Sequence, residues 1–115
     1  MSIRVSDGDL LFITGHAPVD SDGEVIAGDF EAQVVAVFEN LRGTLQAAGV
    51  GFEALVRMNT YLTDVNPETL ATFKAVRNRF VNMDCPPANT LLKVNGLYDG
   101  RIRIEVDGVA VLPRA

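Results

Sequence analysis

The sequence predicts a single α+β domain in which two helices cover one face of a β-sheet. Two segments place apolar residues at helical spacing, shorter segments around them alternate like strands, and 115 residues are one domain's length. The predicted element order is β-β-α-β-α-β-β over residues 1–115. Because two helices can cover only one face of such a sheet, the other face must contact something else.

The N-terminal part is predicted to form a β-hairpin followed by the first helix. Residues 10–14 are an apolar run between two glycines, which indicates a buried strand, and Ser2–Ser6 is its predicted hairpin partner. Asp29 is suited to cap the following helix and Gly49 to end it. The residues spaced along the apolar face of this helix are Phe30, Val34, Val37, Phe38, Leu41, Leu45 and Ala48.

The middle of the chain is predicted to form a strand and then a second helix. Residues with opposite polarity alternate from Ala54 to Asp64, which is the period of a strand with one packed face. Asn66-Pro67 interrupts this pattern, and Pro67 suits the first turn of a helix. The packed strand face comprises Val56, Met58, Thr60 and Leu62, and the helix places Leu70, Phe73, Val76, Arg77 and Phe80 at the required spacing.

The C-terminal part is predicted to add two strands, Asn89–Val94 and Arg101–Val109, on either side of a turn-rich segment. One face of the last strand is apolar and the other is densely charged. A charged sheet face of this kind can line a cleft between subunits. The apolar positions are Ile102, Ile104 and Val106, and the charged ones are Arg101, Arg103, Glu105 and Asp107.

Composition disfavours several classes of function. A net charge of −5 repels phosphate backbones and anionic membranes, so we expect neither nucleic acid nor a membrane as a partner. No apolar stretch is long enough to span a bilayer, and the first residues lack the pattern of a secretory signal. Cys85 is the one cysteine, which excludes an intramolecular disulfide and fits a reducing cytoplasm. With one histidine and no nucleotide-binding motif, we expect neither a metal nor a cofactor.

Two residues stand out as candidates for chemistry. Glu105 lies in an apolar strand with arginines nearby, surroundings that can tune a carboxylate for general acid/base work. The alternative is an exposed strand glutamate paired with Arg103 or Lys93. His16 follows a strand and a turn, where its side chain can point into a cleft, or it can be a hydrogen-bonded loop histidine. Cys85 has no neighbouring cation that would activate it as a nucleophile.

The sequence resembles the RidA/YjgF family along nearly its whole length and in the same order. The matching segments begin with the end of the first apolar strand and continue through the first helix and the central strand to the last strand. They are Leu11–His16, Gln33, Asn40-Leu41, Leu45–Gly49, Val56–Asn66, Pro86–Thr90 and Ile104–Val106, with Val109-Ala110.

The resemblance implies a chorismate-mutase-like fold assembled as a barrel-like homotrimer, with a small-molecule site in each cleft between subunits. The family's typical activity is the cofactor-independent hydrolysis of reactive enamines and imines to a keto acid and ammonia. In that chemistry an arginine holds the substrate carboxylate bidentately, and a glutamate positions water and moves protons. Glu105 matches this glutamate, and Gly15 matches the glycine whose backbone faces the ligand.

The sequence departs from the family pattern at the ligand site. Asn89 stands at the arginine position, so the charged anchor for a substrate carboxylate is missing, and His16 replaces a frequent glutamine. The family's ligand-facing tyrosine falls at about Met1. Phe73 and Val76 stand where typical members carry asparagine and tyrosine.

Two functions from different classes are consistent with these residues. The first is a hydrolase or deaminase of a small enamine, imine or related C–N compound, with Glu105 as catalytic residue and Asn89, Gly15 and His16 binding the substrate. We do not expect the usual 2-imino acids to be good substrates. The second is a non-catalytic ligand-binding or structural homologue. The ribonuclease activity described for some family members has little physical support in an acidic chain.

Overall fold

The computed structural model describes residues 1–114 and confirms the α+β class, with two helices on one face of a four-stranded sheet. A single 3₁₀ turn, Phe52–Ala54, precedes the second strand. Neither helix in the described part of the chain is long and apolar enough to cross a membrane. The elements are β1 (Asp9–His16), α1 (Phe30–Ala47), β2 (Leu55–Leu62), α2 (Pro67–Phe80), β3 (Ala88–Lys93) and β4 (Ile104–Leu112).

The last strand in sequence lies in the middle of the sheet. The strand order is β1-β4-β2-β3, with β4 antiparallel to both of its neighbours and β2 parallel to β3. Parallel neighbours need a crossover connection, which α2 supplies between β2 and β3. Four β4 residues, Ile104, Val106, Gly108 and Ala110, are buried, and the residues between them are half-buried. The apolar and charged alternation predicted for this strand therefore separates two faces of the sheet.

Both helices begin where the sequence predicts. The Asp29 carboxylate accepts a hydrogen bond from the Ala32 amide at 2.9 Å, which caps α1. Gly49, with φ of +81°, ends this helix in a left-handed conformation that glycine adopts without strain. Asn66 and Thr69 form a reciprocal capping box at the start of α2, and Pro67 occupies its first turn.

The core lies between the helices and one face of the sheet. Phe38 of α1 is fully buried, and its ring packs against Phe73 and Phe52 at 6.1 Å and against Phe80 at 5.4 Å between centroids. Aromatic side chains contribute large buried areas, so this cluster joins α1, α2 and the 3₁₀ turn. Met58, Leu62, Ile104 and Val106 complete the core from the sheet side.

A buried glutamine explains why β4 starts three residues later than predicted. Gln33 of α1 is 4% exposed, donates to the Arg101 carbonyl at 2.8 Å and accepts from the Arg103 amide at 2.8 Å. The predicted strand Arg101–Val109 is therefore wrong at its start, because this side chain holds residues 101–103 in place of a full strand ladder. The strand instead runs on to Leu112, pairing there with Asp9 of β1.

The predicted hairpin strand Ser2–Ser6 is not formed. These residues are exposed and have no regular secondary structure, so the order is β-α-β-α-β-β. Ile3 and Val5 alternate with polar residues, but no apolar surface of the protomer covers them. Without burial on one face, the alternation does not stabilise a strand.

The pattern in β2 is correct from Met58 onward and wrong at its start. A register shift between Leu55 and Arg57, where β2 pairs with β4, turns Leu55 into the core and leaves Val56 half-buried. Such bulges place two residues of one strand opposite one of its neighbour, so the alternation changes phase. Met58, Thr60 and Leu62 face the helices as predicted.

The second face of the sheet is open in the protomer. Its exposed apolar side chains are Leu10, Phe12 and Leu92, which are 53%, 76% and 49% exposed. The polar side chains of Tyr61 and Glu105 share this face, because the two residues are paired across β2 and β4. Large apolar side chains exposed on one surface are uncommon on a monomer and are typical of an interaction surface.

Replacing Gln33 by leucine should destabilise the protein by about 2–4 kcal/mol, because two backbone groups lose their hydrogen-bond partner inside the fold. Urea unfolding measures this change. Gln46→Leu, at an exposed position of the same helix, is the control and should change stability by less than about 0.5 kcal/mol. Equal stability of the two variants would show that the Gln33 contacts do not hold residues 101–103.

Candidate functional site

Glu105 and Gly15 meet where the end of β1 lies beside the start of β4. A Cβ atom added to Gly15 would lie 2.7 Å from Oε2 of Glu105, so the carboxylate rests directly over the glycine backbone. The β1–β4 register shifts between Ile13 and His16, which makes this position a bulge. A side chain at residue 15 would push the carboxylate away. The glycine therefore permits a close approach between the carboxylate and the strand.

Glu105 has no cationic partner among residues 1–114. Arg101 instead pairs with Asp99 at 2.8 Å, and the Arg103 guanidinium lies 4.9 Å from the centre of the Phe30 ring. The pairing of Glu105 with Arg103 or Lys93, considered above as the alternative, is absent from the described residues. The half-buried carboxylate is thus available to a ligand or to a neighbouring subunit.

The imidazole of His16 links the end of β1 to α1. Its Nδ1 lies 2.7 Å from the Thr14 carbonyl, and its Nε2 lies 2.6 Å from the Thr44 hydroxyl. A carbonyl oxygen only accepts, so Nδ1 carries a proton, and in the neutral ring Nε2 accepts from Thr44. Both ring nitrogens are occupied within the protomer. A ligand would therefore contact the face or the carbon edge of this ring unless it displaced Thr44.

An open groove of about 550 Å³ lies beside His16, between the end of β1 and α1. Its lining includes Gly15, His16, Thr44 and the exposed ring of Tyr98. This volume suits a small molecule. Among residues 1–114 no cluster of three or more histidine, cysteine or carboxylate side chains could hold a metal ion.

Asn89 lies on the other side of the molecule from Glu105. It belongs to β3, the far edge of the sheet, where it is exposed and pairs in register with Met58. Its Oδ1 accepts a hydrogen bond from the Thr60 hydroxyl at 2.9 Å. Thr60 faces the helices, whereas Glu105 is on the open face, so one protomer brings Glu105 to Gly15 but not to Asn89. The ring of His16 contacts α1 on the helix side, and the groove beside it is lined by Gly15 but not by Glu105.

The family follows from comparison with known proteins. A family model described as Endoribonuclease L-PSP matches residues 2–112, and three relatives named as RutC-family or Rid-family proteins agree with it. The chain belongs to the RidA/YjgF family. The match covers both helices and all four strands, so it includes every candidate residue described above.

Individual relatives match most of the length of this RidA/YjgF chain. It is 33% identical to the protein DfrA of Myxococcus xanthus over 111 residues, covering 96% of this chain and 82% of that protein. It is 38% identical to the RutC family protein YjgH of Escherichia coli over 106 residues, covering 90% and 79%. A crystal structure of YyfB from Yersinia pestis, a Rid-family protein of unknown function, has a TM-score of 0.90 at 30% identity, covering 96% and 84%.

A ladder of polar side chains on the open face of this RidA/YjgF protein was not predicted from the sequence. Asp107 accepts hydrogen bonds from Asn59 at 2.8 Å and from the Tyr61 hydroxyl at 3.0 Å. Arg57 donates to Asn59 at 2.8 Å and to Thr90 of β3 at 2.7 Å. The alternation of residues 57, 59 and 61 was visible, but their partners depend on which strands become neighbours.

The ladder changes the acidity of its tyrosine. The hydrogen bond from Tyr61 to Asp107 raises the pKa of Tyr61 above its usual value of 10.0, with smaller contributions from burial and from the charges of Asp107 and Glu105. Arg57 acts in the opposite direction. A raised pKa means that folding favours the neutral phenol, so its contribution to stability is complete below about pH 10 and is lost as pH rises through the raised pKa.

Asp107→Asn should lower the pKa of Tyr61, because the substitution removes the charge and the stronger acceptor. The two tyrosines of the chain are Tyr61 and Tyr98, so Tyr98→Phe leaves one phenol for ultraviolet titration. Asp84→Asn, at an exposed loop position outside the ladder, is the control and should leave the titration unchanged. A Tyr61 titration curve unaffected by Asp107→Asn would contradict the hydrogen bond.

Proposed function

We propose that this protein is a cofactor-independent hydrolase or deaminase of a small enamine, imine or related C–N compound, with Glu105 as its general acid/base. The observation that carries the proposal is the position of the Glu105 carboxylate. It lies over the backbone of Gly15, half-buried and without a cationic partner in residues 1–114. A carboxylate that is accessible and not neutralised can accept a proton from water.

The proposed reaction needs one carboxylate that moves protons in both directions. Glu105 takes a proton from water as the water oxygen bonds to the imine carbon, and it passes that proton to the nitrogen, which gives a neutral carbinolamine. Glu105 then takes the proton of the new hydroxyl group and delivers it to the nitrogen as the C–N bond breaks, so that ammonia leaves and a carbonyl group remains. A general acid/base of this kind contributes about 10²–10⁴ in rate.

We propose that ordinary 2-imino acids are poor substrates. Their carboxylate is best held by a fork of charged donors, and Asn89 offers only a neutral amide at the position that resembles the family's arginine. The nearby arginines are engaged elsewhere, since Arg101 pairs with Asp99 and Arg103 stacks on Phe30. A neutral or differently shaped C–N compound fits these residues better.

We further propose a homotrimer whose ligand clefts are shared between subunits. Leu10, Phe12 and Leu92 expose apolar surface on the open face, which supports burial against other copies. Glu105 and Asn89 are on opposite faces and different strands of one protomer, so a cleft that uses both needs two copies. One subunit would then supply Glu105, Gly15 and His16 to the cleft, and the neighbouring subunit would supply Asn89.

The family model's description as an endoribonuclease does not decide the substrate of this chain. A net charge of −5 disfavours RNA binding, because phosphate contacts depend on lysine and arginine. We therefore propose a small molecule as substrate and no nucleic acid as partner. The exposed free thiol of Cys85 favours a reducing compartment such as the cytoplasm.

The trimer predicts a particle of about 37 kDa in light scattering at low micromolar concentration, three times the 12.4 kDa chain mass. Phe12→Glu should shift the protein toward monomer, because it places charge in the apolar part of the open face. Glu39→Gln, an exposed change on α1 on the other side of the sheet, should leave the trimer intact. A wild-type particle of 12.4 kDa would contradict the shared clefts.

Glu105→Gln should keep the fold and abolish the C–N hydrolysis found in a substrate screen, a loss of about 10²–10⁴ in rate. Its melting temperature should stay close to that of the wild type, because Glu105 forms no ion pair in the described residues. Glu39→Gln, which alters an exposed ion pair with Arg42, is the control and should retain full turnover. Unchanged turnover of Glu105→Gln would rule out Glu105 as the catalytic residue.

A further inference from the structure

Thr60 is a fully buried polar residue whose role is not explained by packing. It is 0% exposed, and its strand neighbours on the same face, Met58 and Leu62, are apolar core residues. A buried hydroxyl needs a hydrogen-bond partner, and that partner is Oδ1 of Asn89 at 2.9 Å. Valine would fill the same space without a polar atom. Packing of the core therefore does not account for the presence of the hydroxyl group.

The contact with Thr60 fixes which way the Asn89 amide points. The hydroxyl carries one hydrogen, and in the described part of the chain Oδ1 of Asn89 is its only acceptor. If the amide turned over, its NH₂ group would face Thr60 and the buried hydroxyl hydrogen would lose its acceptor, which is unfavourable. Oδ1 therefore points inward. The NH₂ group, with two donor hydrogens, points outward from the exposed Asn89.

Among residues 1–114, the Asn89 amide has Thr60 as its side-chain hydrogen-bond partner and no cation bonds to it. Arg57 of the neighbouring strand donates to Asn59 and Thr90 on the opposite face of the sheet. Lys93 shares the face of Asn89 but lies four residues along β3, about 13 Å away at the usual rise of a strand. A carboxylate bound here would lose hydration and gain only neutral donors, whereas a neutral carbonyl oxygen loses much less.

We propose that Thr60 is a positioning residue that holds Asn89 as a directed donor for a neutral carbonyl oxygen. The substrate class is then a C–N compound with an amide, ester or carbamoyl group where an imino acid has its carboxylate. This inference rests on the proposed function for its reaction, but the preference itself is a property of binding. It is thus measurable in the absence of turnover.

The test compares two probes of equal shape, 2-oxobutanamide and 2-oxobutanoate, which resemble neutral and anionic hydrolysis products. Both are titrated into the intact protein and followed through the side-chain NH₂ signals of Asn89 by nitrogen-15 NMR. We expect the amide probe to bind about ten-fold more tightly than the acid and to shift these signals. Tighter binding of the acid, or no binding of the amide at tens of millimolar, would overturn the inference.

Two variants of Thr60 separate the effect of its hydroxyl group from the effect of side-chain shape. Thr60→Val keeps the shape of the side chain and should fold, and Asn89 Oδ1 can then bond to water because Asn89 is exposed. We expect Thr60→Val to weaken the amide probe about five-fold and to leave the acid unaffected, since the amide can now turn over. Thr60→Ser retains the hydroxyl and should preserve the preference. Unchanged amide binding in Thr60→Val would overturn the role of Thr60.

The outcome separates this inference from the proposed function. If the amide preference and its dependence on Thr60 are observed while Glu105→Gln keeps full turnover, the proposed role of Glu105 as general acid/base fails and the binding preference stands. If Glu105→Gln abolishes turnover while Thr60→Val binds the amide like the wild type, the hydrolase stands and the inference fails.

Discussion

Burial of one face of the sheet by two helices is the constraint on which the other features of this protein depend. Phe38 and its aromatic neighbours pack α1 and α2 together over that face. In the centre of the sheet, β4 lies between β1 and β2, which precede it in the sequence. The apolar side of β4 is buried in this core. Its other side carries Glu105 and Asp107, so the same strand both completes the core and displays the charged residues.

One-sided burial also explains how the candidate site residues are distributed. The carboxylate of Glu105 is on the open face over Gly15, and Asn89 is at the opposite edge, held from the core side by Thr60. Each side of the proposed cleft has its own support within the protomer, which is what precise positioning of a ligand requires. In the proposed trimer the cleft forms where two copies approach, so we expect trimer formation and ligand binding to depend on the same contact between subunits.

Local signals in the sequence predicted the helices well, and non-local contacts account for what was missed. Asp29, Gly49 and Pro67 act through their own backbone neighbourhoods, so their roles were readable. The start of β4 depends on Gln33, some seventy residues away, and Thr60 looked like an ordinary packed strand residue. Glu105 was identified from its strand and from family resemblance. That no cation among residues 1–114 pairs with Glu105 could be recognised only from the spatial arrangement of the arginines.

Subunit mixing tests the shared cleft most directly. Glu105→Gln and Asn89→Ala are each impaired if both residues serve one cleft, and the two variants are unfolded together and refolded as mixed trimers. If the residues come from different subunits, about one quarter of the clefts in a random mixture contain both native side chains. Turnover of a substrate that the wild type hydrolyses should then return to about one quarter of the wild-type rate. No recovery above the separate variants would contradict the shared cleft.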